Sequence, residues 1–191
     1  MSEKLKVVAV SGGLQRPSRT LALVEAIVAR IADLVPLDLH IVELSEIAAD
    51  VGTTLDRRTA SSVVEAHLRA IEEADALIVA SPVFRASFTG LFKHLFDLVG
   101  QDALVDVPVL LAATGGSERH ALVLEHQLRP LFSFFQARTL PIGVYASTHD
   151  FTDYQVTNAA LHERIALAAE RAVPWLRARR ASGSPVAALA A

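Results

Sequence analysis

The chain has 191 residues, 52% of them hydrophobic and 20% charged, with a formal net charge of −3 and no cysteine. That length suits one domain with a sizeable core, and the mild negative charge argues against nucleic acid as a partner. Without cysteine, disulfides, thiolate catalysis, iron–sulfur clusters and Cys-ligated zinc are excluded together; the seven histidines form no H-x-x-x-H pair, so no metal is expected.

No apolar run approaches the roughly 18 uninterrupted residues of a membrane span. The excess apolar character is therefore expected in a large core or a subunit interface. The N-terminus, MSEKLKVVAV, passes directly into a strand pattern with no apolar leader or cleavage site, which predicts a cytoplasmic protein.

Residues 5–10 are a short β-branched run and read as a buried strand. Residues 18–35 carry apolar side chains at Leu21, Val24, Ile27 and Ile31, a helical period that Pro36 closes. A second strand is predicted over 37–43, followed by an irregular connection over 44–58 that contains Gly52. Residues 59–74 read as a helix with Glu65, Arg69, Glu72 and Glu73 outward, and 76–80, ALIVA, as a third strand. A helix over 89–99, a strand over 107–113, a long helix over 118–136 and a strand over 139–144 follow. A closing helix over 153–180, bending at Pro174, completes one domain spanning 1–180, and 181–191 is expected to be a disordered tail.

Strands that alternate with helices imply a parallel sheet, because each crossover returns the chain to the same end. Such sheets bind ligands outside the carboxyl ends of their strands. Three loops lie there. SGGLQRPSRT, residues 11–20, opens a helix with Ser11, Ser18 and Thr20 as hydroxyls and Arg16 and Arg19 as cations. It lacks the lysine of a nucleotide-hydrolase loop and the glycine spacing of a dinucleotide loop. Alone, it reads either as a capped helix start or as a site for one terminal phosphomonoester. SPVFRASFTG, from residue 81, offers an aromatic face at Phe84, an extended backbone at Pro82, and polar edges at Ser81, Arg85 and Ser87. It suits a planar heterocycle or an ordinary strand-to-helix turn. TGGS, residues 114–117, permits close backbone approach and can aim N–H donors at a ring edge that gathers negative charge. Phosphate, ring and ring edge at successive strand ends describe a flavodoxin-like FMN site.

At this point the chain resembles the NAD(P)H-dependent FMN reductases that serve two-component alkanesulfonate and methanesulfonate monooxygenases. The resemblance spans about residues 4–177 and rests on VVAVSGGLQRPSRT, on ASPVFRASFTGLFKHLFDLVGQDAL, and on ATGGS followed by HQLRPLF. It implies a flavodoxin-like three-layer α/β/α sandwich whose five parallel strands run in the order 2-1-3-4-5. It also implies a homotetramer, or a dimer, with hydride transfer from NADH or NADPH to FMN and delivery of reduced FMN to a partner monooxygenase. Carried over by position, Ser11, Arg16, Ser18, Arg19 and Thr20 would hold the phosphate. Pro82, Val83, Phe84, Arg85 and Ser87 would line the flavin, and Thr114, Gly115, Gly116 and Ser117 would cover its pyrimidine edge. No acid or base is expected, since two stacked rings need positioning rather than proton transfer. A flavodoxin-type electron carrier and an FMN-retaining quinone or azo reductase are the alternatives. NADPH would need cations for its 2′-phosphate; Arg85 and Arg119 form no cluster, which favours NADH.

Pro130 interrupts the pattern of the long helix, because it cannot donate to the carbonyl of His126. A kink or a π-bulge over His126–Pro130 is predicted, exposing His126 at a subunit interface. Phe92, Leu95, Phe96, Val99, Leu128, Leu131, Phe132 and Phe135 are candidates for that interface, or else for the core.

Overall fold

The computed structural model describes residues 4–182. Four β-branched or alanine-rich runs form parallel strands: β1 (Leu5–Ser11), β2 (Leu37–Glu43), β3 (Ala76–Pro82) and β4 (Pro108–Gly115). The fifth position is filled in two pieces, β5 (Arg138–Thr139) against Pro108–Val109 and β6 (Val144–Ser147) against Ala112–Gly115. The expected order holds as β2-β1-β3-β4-β5, with β6 also on β4. The single strand expected over 139–144 is broken because Pro141 has no N–H for the ladder.

β3 and β4 are buried on both faces apart from their last residues, and the helices on either side account for this. α1 (Arg19–Ala32) and α6 (Ala159–Ser182) cover one face, where Leu23, Val24 and Ile27 meet Val7, Ala9 and Ile78. α2 (Leu44–Thr53), α3 (Ser62–Glu72), α4 (Gly90–Asp97) and α5 (Arg129–Phe134) cover the other, where Leu68, Phe92, Phe96 and Phe132 meet Val8, Val79 and Leu111. This is the flavodoxin-like three-layer sandwich.

Three local expectations need correction. Residues 44–53 are helical rather than irregular: Leu44, Ile47 and Val51 are buried on one stripe, and Gly52 sits in the last turn, where it interrupts little. The long helix over 118–136 is instead a 3₁₀ turn (Glu118–His120), a π-helical turn (Leu124–Leu128) and α5. The closing helix begins at Ala159, because residues 151–156 form a hairpin of β7 (Phe151–Thr152) and β8 (Gln155–Val156). Of the apolar residues offered either to an interface or to the core, all but the partly buried Leu131 are core, with Phe92, Leu95, Phe96, Leu128 and Phe132 at most 1% exposed, whereas the unforeseen Phe134 is 62% exposed. Helix α6 continues through Pro174. The tail expected from 181 onward falls, from residue 183, outside the described residues. Among the described residues no helix is long and apolar enough to cross a membrane.

One ion-pair cluster ties the α2–α3 connection to the end of α4. Arg57 donates to Glu65 (3.2 Å) and to Glu72 (2.8 Å), and Glu72 in turn accepts from the amide of Gly100 (2.7 Å). Hydrogen bonds from Arg57 and then Arg69 hold the Glu65 carboxyl down to about 2. A carboxyl depressed on folding stabilises the native state above its unfolded pKa, about 4.5, and loses that contribution as pH falls towards 2. The substitution Arg57→Met should therefore lower the melting temperature at pH 7, and the gap to the wild type should close between pH 4.5 and 2. Circular-dichroism melts across that range test it; a gap independent of pH would contradict the cluster.

Candidate functional site

The carboxyl ends of β1, β3, β4 and β6 surround a cleft of about 480 Å³, a volume ordinary for a small-molecule site. Among the described residues Arg19 is the one Lys or Arg that lines it, and no carboxylate does.

At one end lies the start of α1. Ser18 caps the helix, its hydroxyl oxygen accepting from the amide of Leu21 (3.2 Å), so its O–H remains free to donate. The amides of Arg19 and Thr20, in the first turn, have no intrahelical acceptor. Thr20 Oγ1 and Thr114 Oγ1 lie 2.7 Å apart and buried. One hydroxyl hydrogen is used in that bond and the other stays available. Ser18, Arg19 and Thr20 all border the cleft, together with Gly13, Leu14, Gln15 and Pro17. A Cβ on Gly13 would lie 2.6 Å from Ser18 Oγ, so a larger residue there would have to displace the capping hydroxyl.

Arg16 and Ser11 do not line the cleft. The Arg16 guanidinium donates to Glu43 Oε1 (2.7 Å) and Glu46 Oε1 (2.9 Å). Glu43 is 5% exposed. The Arg16 bond holds the Glu43 carboxyl below its usual range against the opposing effect of burial, with help from Ser45. Ser11 is fully buried and its hydroxyl has no partner among the described residues.

In the second loop Pro82, Val83 and Phe84 line the cleft, and Phe84 is 54% exposed. Phe84 and Ser87 exchange backbone hydrogen bonds (2.8 and 3.1 Å) around a two-residue turn, with Arg85 at φ 50° and Ala86 at φ 69°. Both are left-handed conformations that cost non-glycine residues about 1 kcal/mol or more each. Arg85 is carried outward on this turn, and the Ser87 hydroxyl donates to Gln127 Oε1 (3.0 Å) instead of lining the cleft. Gln127 belongs to the π-helical turn, where the amide of Arg129 reaches back five residues to Leu124. Pro130 follows directly, and His126 is exposed, as the sequence leads one to expect.

In the third loop Thr114, Gly115 and Gly116 line the cleft and Ser117 does not. The Ser117 carbonyl accepts from Tyr145 Oη (2.5 Å); burial pushes the Tyr145 phenol further above its ordinary value. A Cβ on Gly115 would lie 2.1 Å from that phenol oxygen, whereas one on Gly116 would meet nothing. Sequence reasoning missed a fourth wall, made of Ser147 and Thr148 at the end of β6 and Tyr154 from the β7–β8 hairpin. The strand-end rule could have found Ser147; no local signal marks Tyr154.

An anion-receptive end, an exposed aromatic and a glycine edge fit a phosphorylated planar ring, and FMN fits that description. The sequence profile of the NADPH-dependent FMN reductases matches residues 5–152. The chain belongs to this family. It is 64% identical over 181 residues to the NADH-dependent FMN reductase SfnE of Pseudomonas putida, covering 95% of this chain and 97% of that one. It is 59% identical over 179 residues to an FMN reductase (NADPH) of Pseudomonas aeruginosa, covering 94% and 96%. Among solved structures, an oxidoreductase from Corynebacterium diphtheriae superposes with a TM-score of 0.80 at 38% identity, covering 92% of this chain and 98% of that one. The apo form of the NADH:FMN oxidoreductase EmoB superposes with a TM-score of 0.76 at 27% identity, covering 90% and 88%. Family membership brings FMN and NAD(P)H as the cofactors of an FMN reductase.

The two glycines of the third loop thus answer to different demands. Gly115→Ala should cost about 1–3 kcal/mol through overpacking against Tyr145, and adding Tyr145→Phe should recover part of it by removing the nearest atom. Gly116→Ala should leave the melting temperature unchanged. Equal destabilisation by the two alanines would show that the phenol is not what requires Gly115.

Proposed function

We propose that this FMN reductase takes its hydride from NADH and passes reduced FMN to a separate FMNH2-dependent monooxygenase, a sulfonate monooxygenase on the resemblance set out above. Bound FMN supplies the hydride-accepting ring. The chain's own residues bind and orient it: Ser18, Arg19, Thr20 and the first amides of α1 take the phosphate, Pro82, Val83 and Phe84 take the ring, and Thr114, Gly115 and Gly116 take its pyrimidine edge. Arg16, Ser87 and Ser117 then act from behind this layer, holding the loops through Glu43, Gln127 and Tyr145, whereas Ser11 is buried with no hydroxyl partner among the described residues and Arg85 faces outward. No carboxylate, histidine or lysine lines the cleft among the described residues, so positioning supplies the catalysis.

The observation that carries the reading is the charge of the cleft. Its one Lys or Arg, Arg19, stands at the helix start with no carboxylate beside it in the lining. With Arg19 committed to the FMN phosphate, no second arginine or lysine lines the cleft for a 2′-phosphate, which favours NADH over NADPH. Arg85 and Arg119 are exposed and outside the lining.

We further propose that the protein assembles as a homotetramer, or a dimer, through the face around α4 and α5. Support comes from Phe134, 62% exposed, which with Phe96, Leu131 and Phe135 helps to line a partly apolar cavity. Light scattering on the eluting protein reads this directly, and a clean monomer would remove it.

A steady-state assay with each nicotinamide, with and without added FMN, tests the main proposal. The expected result is turnover that depends on added FMN, with kcat/KM larger for NADH. Absence of turnover with either donor would favour an electron carrier, and higher rates with quinones than with FMN a flavin-retaining reductase.

A further inference from the structure

The β7–β8 hairpin turns on Asp153 and Tyr154, at φ 48° and 61°. Two consecutive left-handed residues are the conformation that Asn-Gly or Gly-Gly adopts without strain. A tyrosine in the second place costs about 1 kcal/mol or more, and burial does not repay it, since Tyr154 is 39% exposed. The hairpin itself is anchored from below. Asp150 accepts from the amide and hydroxyl of Ser147 (2.6 and 3.0 Å) and from Asn158 Nδ2 (2.7 Å), and its carbonyl accepts from the amide of Thr157 (3.0 Å). The strained turn is therefore fixed in place, with its tyrosine at the cleft wall. The family profile ends at residue 152, just short of it.

The Tyr154 ring lies under the Arg19 guanidinium, 5.3 Å from ring centroid to Cζ. We propose that Tyr154 is a positioning residue for the phosphate end of the cleft, holding Arg19 at the start of α1 by its ring face. The proposal rests on the assignment of Arg19 to the FMN phosphate made above. A ring orients a guanidinium without neutralising it and leaves the in-plane N–H groups free for phosphate oxygens. A carboxylate would orient it equally well and cancel its charge, which is the state of Arg16 beside Glu43. Arg19 has no ion pair among the described residues, so the ring is what holds it.

Fluorescence titration with FMN and with riboflavin, which lacks the phosphate, tests this. The proteins are the wild type, Tyr154→Phe, Tyr154→Leu, Arg19→Gln and the Tyr154→Leu/Arg19→Gln double variant. Tyr154→Leu should raise the Kd for FMN about fivefold and leave that for riboflavin unchanged. Tyr154→Phe, which keeps the ring, should stay within about twofold of the wild type. The double variant should bind FMN no more weakly than Arg19→Gln alone. Equal weakening of FMN and riboflavin by Tyr154→Leu would overturn the proposal, as would full additivity with Arg19→Gln. A wild type that binds riboflavin as tightly as FMN would instead remove the phosphate site on which the proposal stands.

Discussion

Thr114 joins the loops on which the cleft depends. Its hydroxyl meets that of Thr20 at 2.7 Å, ninety-four residues away in sequence, and its carbonyl accepts from the amide of Val83 at 2.7 Å. Gly12 completes the joint: its amide donates to Ala80 (2.7 Å), and its carbonyl accepts from Thr89 Oγ1 (3.2 Å), which itself caps α4. The Thr20–Thr114 and Thr89–Gly12 bonds are buried, where an unmade hydrogen bond costs about 1–3 kcal/mol. Strand ends brought together by a parallel sheet share no local chain, so bonds of this kind are what fix their spacing. A cleft that works by positioning needs such joints more than it needs reactive groups.

The backbone reverses the usual distribution of strain and space. Gly12, Gly13 and Gly115 sit where a Cβ would lie 2.8, 2.6 and 2.1 Å from a neighbouring side-chain atom, so they answer to crowding rather than to φ. Among the described residues six non-glycine positions are left-handed: Asp106 and Gln136 stand alone, and the other four form two consecutive pairs, Arg85–Ala86 and Asp153–Tyr154. Each pair makes a tight two-residue turn, and each turn carries an aromatic to the cleft wall, Phe84 on one and Tyr154 on the other. Strain concentrated at a site in this way marks residues kept for what they present rather than for how easily they fold.

The sheet was legible because β1, β3 and β4 are apolar runs flanked by helical periods, a signal that survives without any tertiary information. Strand β2 was legible to the residue, since Pro36 and Glu43 bracket it. The π-turn was legible as well, because Pro130 leaves one carbonyl without its donor whatever the surroundings. Helix α2 was not, because Gly52 and the short length hid the stripe of Leu44, Ile47 and Val51 that only the sheet completes. The β7–β8 hairpin was invisible for a stronger reason: Asp-Tyr is no turn signature, and the strain it carries is supported by Asp150 and Asn158 from outside the turn. In the site, Ser18, Arg19 and Thr20 could be placed from a loop that opens a helix. The fate of Arg16 could not, because Glu43 lies twenty-seven residues away at the end of a different strand.

The two arginines of the first loop show how position, rather than residue type, decides what a charge does. Arg16 is drawn to a carboxylate that is almost wholly buried, and a buried carboxylate without a cation would be costly. That pair fixes the loop to the end of β2, and with Glu46 also accepting from Arg16 the cluster has no net positive charge to lend the cleft. Arg19, three residues on, faces a ring in place of an acid, beside helix amides that carry partial positive charge. No carboxylate among the described lining residues offsets its charge. If Glu43 were instead to face Arg19, both arginines would still be present and the cleft would lose its attraction for an anion. If Arg19 takes the phosphate as proposed, the bond from Arg16 matters to the cleft by keeping the Glu43 carboxylate engaged at the end of β2.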